Sequence, residues 1–246
     1  MPWAGGLAPG RVRLVKERLD GRSLDLMRPV RLEPGVNPYA EGSALCAFGS
    51  TQVLCTASVE EGAPRWLGPQ AEQGWVTAEY AMLPRSTHTR TGRNHQSGGR
   101  AQEISRLIGR SLRASVDLKA LKGYTVRVDC DVLVADGGTR TASISGGFVA
   151  LAQALAGLGL APRSAVAAVS MGKVDGRLMV DLCYAEDSAA EVDLNLVLAP
   201  QGRLIEVQST AERAFFSAAE LAVMLEMGSR AAEGIFTAQA RALGGA

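Results

Sequence analysis

Net charge is almost missing from this chain: 26 Lys and Arg against 25 Asp and Glu leave +1 over 246 residues. A polyanionic partner would therefore have to be met by a local patch rather than by the protein as a whole. Cysteine is scarce, at four residues. Cys46, Cys55, Cys130 and Cys183 stand far apart, with no CxxC and no neighbouring His, which argues against zinc. Three lie in apolar strand-like runs and the fourth beside one, so they read as small buried hydrophobes of a protein in the reducing cytoplasm. The opening, MPWAGGLAPGRVRLVKERLDGRSLD, lacks the apolar h-region of a secretory signal. Residues 1–12 read as a flexible tail ahead of one domain over 13–246. ISGGFVALAQALAGLGLAP is the one membrane suspect, but it is rich in Ala and Gly and broken by Gln153. It is too weakly apolar for a span of about 20 residues and is expected to be a buried helix. Heptads, short repeats and Pro/Ser linkers are also missing, so a single domain with a substantial core is expected.

What is present reads as mixed secondary structure. GSALCAFGSTQVLCTASVEEG gives two short strands around a Gly-Ser turn, and GWVTAEYAML gives another. From Arg100 the period changes: Ile104, Leu107, Ile108 and Leu112 recur at helical spacing, with Arg106, Arg110 and Arg113 off that stripe. YTVRVDCDVLVAD alternates, setting Val126, Val128, Cys130, Val132 and Val134 on one face and Arg127, Asp129 and Asp131 on the other. GGTR ends that strand and opens a helix. Further strands follow, with turns at VDG and PQG. Ser217 and Glu220 have capping-box spacing before a last helix over 217–242. Strands grouped before and between helices indicate an α+β fold.

Three constellations could carry chemistry. Between Ala81 and Gln102 lie four arginines and both histidines with no Asp or Glu, in a long loop rich in Ser, Thr and Gly. Guanidinium forks match phosphate oxygens in pairs, and Arg85, Arg90 and Arg93 are spaced for a flexible polyanion; a merely solvated loop is the alternative. Arg100 follows Gly98-Gly99 at a helix start, and DGGTR places Gly138, Thr139 and Arg140 at another. Helix N-termini attract anions, so both are candidate phosphate sites, although a plain tight turn would explain DGGTR as well; no GK[ST] follows, so this is not a Walker A loop. In DLCYAEDSAAEVDLN, Asp187 and Asp193 could converge across a short bend among otherwise solvated hairpin carboxylates. There they would hold Mg²⁺ beside a scissile phosphate, or Asp187 would act as general acid to a leaving oxygen.

GWVTAEYAMLPRSTHTR, GGRAQEISRLIGRSLRASVDL, DCDVLVADGGTRTASISG and YAEDSAAEVDLN together resemble the ribonuclease PH family. The resemblance runs in order from about Gly21 to near the C-terminus. It implies a domain of the ribosomal-protein-S5-domain-2 type, a homohexamer built as a trimer of dimers, and no membrane partner. It implies phosphate-dependent 3′-to-5′ trimming of transfer-RNA precursors and other structured RNA, reversible by addition from nucleoside diphosphates. By the same resemblance, Arg100, Gly138, Thr139 and Arg140 bind inorganic phosphate. Arg85, Arg90 and Arg93 hold RNA. Asp187 and Asp193 serve metal (Mg²⁺ or Mn²⁺) and catalysis. A hydrolytic two-metal nuclease and a non-catalytic RNA-binding ring subunit are the rival readings; the first would need more carboxylates and no phosphate pocket, and the second need not keep both motifs. The chain departs from the family at STAERAFF, where Ser209 and Arg213 replace glycines. If either glycine normally takes positive φ, the turn must differ here.

Overall fold

Alternating apolar residues become strands wherever one face can be buried, and a computed structural model describes the result for residues 18, 20–68, 70–93 and 98–244. The tail expected over residues 1–12 lies outside the described residues. Strands β1 (Val30–Pro34), β2 (Gly42–Phe48), β3 (Thr51–Glu61), β4 (Trp75–Met82) and β5 (Tyr124–Val134) form one sheet in the order β1-β2-β3-β5-β4. Only β4 and β5 run parallel in it, joined by a crossover through helix α1 (Gly99–Arg113). Helix α2 (Thr139–Gly157) leads to the second sheet of β6 (Ala167–Val174), β7 (Arg177–Val180), β8 (Val192–Ala199) and β9 (Arg203–Ala211), ordered β7-β6-β8-β9. A one-turn helix α3 (Tyr184–Asp187) separates β7 from β8, and α4 (Ala218–Ala242) ends the chain. The class is α+β.

The periodicities account for most of this. Ile104, Leu107, Ile108 and Leu112 are all buried on α1, as their spacing requires. On β5, Val126, Val128, Cys130 and Val132 are buried, but Val134 is 39% exposed, contrary to the alternation. The pairing with β3 shifts register at Gln52/Val53, so Val53 faces Val132 and Gln52 faces Val134, leaving Leu133 as an extra residue that disrupts the alternation. The membrane suspect is the buried helix α2, apolar nearly all round because it packs on β2 and β3 and also on β6. Among the described residues no helix is long and apolar enough to cross a membrane. Gly146 makes the helix–sheet contact possible: a Cβ there would lie 2.6 Å from Cβ of Cys46 and 3.0 Å from Sγ of Cys55. Cys46, Cys55 and Cys130 are buried, and burial raises the Cys46 thiol, so it behaves as an apolar filler. The capping box is formed: Ser217 accepts from the Glu220 amide, and Lys173 and Ser217 hold the Glu220 carboxyl down to about 2. One hydrophobic core runs through both sheets and helices α1, α2 and α4.

Candidate active site

Of the residues singled out from sequence, Arg100, Gly138, Thr139, Arg140, Asp187 and Asp193 come from four separate segments and meet in one recess, which Arg85, Arg90 and Arg93 do not line. The turn after β5 takes two left-handed glycines, Gly137 at φ +73° and Gly138 at φ +66°, the second being the N-cap of α2. That conformation suits glycine and turns the first amide groups of α2 outward, where they lack intrahelical partners. Thr51 braces the turn by donating through Oγ1 to the Gly137 carbonyl at 2.7 Å and accepting from the Asp136 amide at 3.0 Å. Thr139 follows, its hydroxyl sharing a 2.8 Å hydrogen bond with Tyr80 of β4. Arg140 reaches over to β9, donating to Gln208 Oε1 at 3.2 Å, with Glu103 of α1 at 3.8 Å. Neither α1 nor α2 has an acid in its first turn, and Gly98 and Gly138 supply no side-chain cap. Two open helix N-termini with their positive dipole ends thus flank one cleft, each carrying an arginine as its second residue.

The acids lie opposite. Cys183 and Glu186 form a capping box on α3, which ends at Asp187. Carboxylates expected in a hairpin therefore sit on a helical turn followed by β8, and this turn is what brings Asp187 back toward Asp193. A cleft of about 390 Å³ is lined by Arg100, Arg140, Asp187, Asp193, Asn195, Gln208 and Arg213, among others. A connected recess of about 150 Å³ adds Tyr80, Gly138, Thr139 and Ser170. Burial raises the Asp193 carboxyl, and the charge of Asp187 raises it further, against the pull of Arg140. Burial likewise raises Asp187 although Arg100 and Arg140 oppose it. Two carboxylates that disfavour each other's charge are suited to sharing a cation. Among the described residues no cluster of three or more His, Cys, Asp or Glu forms a metal cage. The pair instead offers hard oxygen ligands of the number that Mg²⁺ takes when substrate phosphate supplies the rest.

Arg85, Arg90 and Arg93 are exposed on the loop after β4, and no ion pair engages them or Arg100 among the described residues. Residues 94–97 of that loop lie outside the described residues. Its first part is anchored: Ser86 donates its amide to Leu83 and accepts from Ala135 through its carbonyl at 2.8 Å. His88 then stands 6.4 Å, ring to ring, from Tyr184 at the start of α3.

Several participants were not foreseen. Asn195 donates to both carboxylate oxygens of Asp193 at 3.4 Å, and its place two residues along the same strand is a period-two signal. Tyr80 and Gln208 carry no sequence signal. Arg28 has none either, yet its buried side chain bonds the Asp181 carboxylate and the carbonyls of Asp136, Gly137 and Leu182. The replaced glycines prove harmless to the backbone, because neither Ser209 nor Arg213 takes positive φ. Arg213, unplaced by sequence, lines the cleft and donates to the Ser188 carbonyl at 2.9 Å.

Known proteins resemble this chain along most of its length. Residues 26–156 match the model of the 3′ exoribonuclease family, domain 1, and residues 164–231 match its domain 2. The ribonuclease PH of Mycobacterium sp. (strain KMS) is 52% identical over 240 residues, covering 93% of this chain and 92% of that protein. The ribonuclease PH of Nocardia farcinica is 51% identical over 240 residues, covering 93% of each. Among solved structures, rice Rrp46 superposes with a TM-score of 0.78 at 23% identity, over 92% of this chain and 100% of that one. The Archaeoglobus fulgidus exosome with RNA bound to the active site gives 0.78 at 23% identity, over 90% and 92%. At that identity the likeness speaks for the fold, which is the α+β fold of the ribosomal-protein-S5-domain-2 type. With both family models matched and about half of all residues shared across nearly its whole length, the chain belongs to the ribonuclease PH family of 3′ exoribonucleases.

Proposed function

We propose that the cleft between the α2 N-terminus and α3 is where this phosphorolytic 3′-to-5′ exoribonuclease trims transfer-RNA precursors. The observation carrying this reading is the convergence of Arg100, Thr139, Arg140, Asp187 and Asp193 on one recess. Inorganic phosphate sits against Arg100, Gly138, Thr139 and Arg140. One of its oxygens attacks the last phosphodiester, the bond from phosphorus to the penultimate 3′-oxygen breaks, and a nucleoside diphosphate leaves. The freed 3′-oxygen takes a proton from water, or from Asp187 where that residue acts as general acid in place of holding metal. Asp187 and Asp193 would hold Mg²⁺ or Mn²⁺, which supplies electrostatic stabilisation of charge developing on the phosphates. The bond made resembles the bond broken, so addition of nucleotides from diphosphates runs through the same site.

RNA labelled at its last phosphodiester should release labelled nucleoside diphosphate, and only when phosphate is added. Monophosphate released without phosphate would make the enzyme hydrolytic instead. Arg100→Ala or Arg140→Ala should raise the KM for phosphate by roughly tenfold or more, the worth of a hydrogen bond to a charged group, with long-RNA affinity little changed. Normal degradation at low phosphate would remove the substituted residue from the site.

Arg85, Arg90 and Arg93 hold the RNA backbone as positioning charges without reading bases. Each single-strand phosphate contact contributes about −0.7 to the slope of log K against log salt, so removing all three should flatten it by roughly 2. Anisotropy across a salt series measures this, and an unchanged slope would return the loop to solvent. The working unit is a cytoplasmic homohexamer, a trimer of dimers. In its support, β9 is an edge strand that exposes Leu204 at 52% and Val207 at 40%, apolar surface that an isolated edge rarely leaves uncovered. Light scattering on the wild type decides the stoichiometry.

A further inference from the structure

Ser170 of β6 has a hydroxyl with no hydrogen-bond partner among the described residues. Its Oγ is one of three buried side-chain polar atoms without a partner among the described residues, and the residue is 6% exposed. A buried hydroxyl left unpaired is costly, so a partner supplied from outside the chain is the natural account. Its main chain is fixed, pairing with Asn195 across β8 and accepting from the Asp181 amide at 2.6 Å. The side chain lines the recess that also holds Thr139, Arg140, Asp187 and Asp193. A Cβ placed on Gly138 would lie 3.2 Å from Ser170 Oγ, so the hydroxyl stands directly against the start of α2. The hydroxyl of Thr139, also in that recess, is already shared with Tyr80.

We infer that Ser170 is a further phosphate-binding residue, its hydroxyl donating to an oxygen of the phosphate at the α2 N-terminus and closing that site from the second sheet. The inference rests on the phosphate assignment above. A hydroxyl can donate or accept, so it suits either protonation state of phosphate near neutrality, whereas the arginine forks only donate. In the reverse reaction the terminal phosphate of a nucleoside diphosphate takes the same place, and Ser170 binds it likewise.

Ser170→Ala should raise the KM for inorganic phosphate about tenfold while kcat at saturating phosphate stays within about twofold, the mark of a contact made equally in ground and transition states. The KM for a nucleoside diphosphate should rise by a similar factor, and long-RNA affinity should not change. Without phosphate the variant should melt at or above the wild-type temperature, because the lost hydroxyl had no internal partner. On adding phosphate its melting temperature should rise less than that of the wild type. An unchanged phosphate KM together with an unchanged phosphate-induced rise would overturn the inference, as would a lower melting temperature in phosphate-free buffer. Arg140→Ala is measured alongside. If it weakens phosphate and Ser170→Ala does not, Ser170 alone is misassigned; if neither does, the phosphate site itself is.

Discussion

Asp193→Asn should lose about a hundredfold in kcat while leaving a folded assembly that binds RNA, and Asp187→Asn should do the same. A transition-state contact of about 3 kcal/mol corresponds to that factor. The two variants should also not be less stable than the wild type. Burial, and then the Asp187 charge, raise the Asp193 carboxyl above its ordinary value. A carboxyl raised in the folded state stabilises the fold below its unfolded pKa, and that contribution is lost as pH climbs through the folded value. Above that folded value the ionised Asp193 therefore works against folding, and Asn removes that charge. In metal-free and phosphate-free buffer Asp193→Asn should melt higher than the wild type, with the difference shrinking as pH falls. The two readouts together separate a functional carboxylate from a structural one, because a structural role would lower both activity and melting temperature. Wild-type turnover in Asp193→Asn at limiting Mg²⁺ would end its assignment as a metal ligand.

Legibility from sequence followed the range of the interactions. The α1 stripe, the β5 alternation, the Gly-Ser turn before β3 and the Ser217–Glu220 box are set by residues one to four apart, and all four formed, the alternation as far as Val132. Gly138 and Arg140 were legible because a glycine pair between a strand and a helix has a local mechanical meaning. The joining of Asp187 to Asp193 was visible only as short spacing, and the helical turn that achieves it depends on Glu186 reaching back to the Cys183 amide. Long-range partners left no trace. Arg18 fills a buried position by bonding Glu186, 168 residues away, and no periodicity announces either member. The failure at Val134 has the same origin, since the extra residue Leu133 is set by how β5 pairs with β3, a strand distant in sequence.

Arg28→Met should cost about 3 kcal/mol of folding stability, the penalty for removing the main partner of a buried charge that then keeps only Arg22 at 3.2 Å. The ion pair joins residues 153 apart: Nη2 of Arg28 meets Oδ1 of Asp181 at 2.7 Å, with side-chain exposures of 6% and 1%. Burial alone would lower the Arg28 guanidinium, but Asp181 and Asp136 more than offset it, so the cation persists. Asp181 also takes the left-handed backbone at φ +54°, which an Asp tolerates better than most residues. Asp181→Asn keeps that tolerance and removes the stranded charge. The double variant Arg28→Met/Asp181→Asn should therefore be less destabilised than the sum of the singles. Arg127→Met is the contrast: its pairs with Glu60 and Glu79 are open to solvent, so about 1 kcal/mol or less is expected. Arg28 also ties the carbonyls of Asp136 and Gly137 to that of Leu182, joining the glycine turn before α2 to the segment that leads into α3. Whatever Arg28→Met enzyme remains folded should thus show both a higher KM for phosphate and a lower kcat, whereas Arg127→Met should show neither. Urea unfolding at one fixed protein concentration, with kinetics on the same preparations, measures both effects. An Arg28→Met protein within 1 kcal/mol of wild type would mean that Arg22, whose Nη1 lies 3.2 Å from Oδ2 of Asp181, is enough to satisfy that carboxylate, and that the turn and the acids are held in register by some other contact.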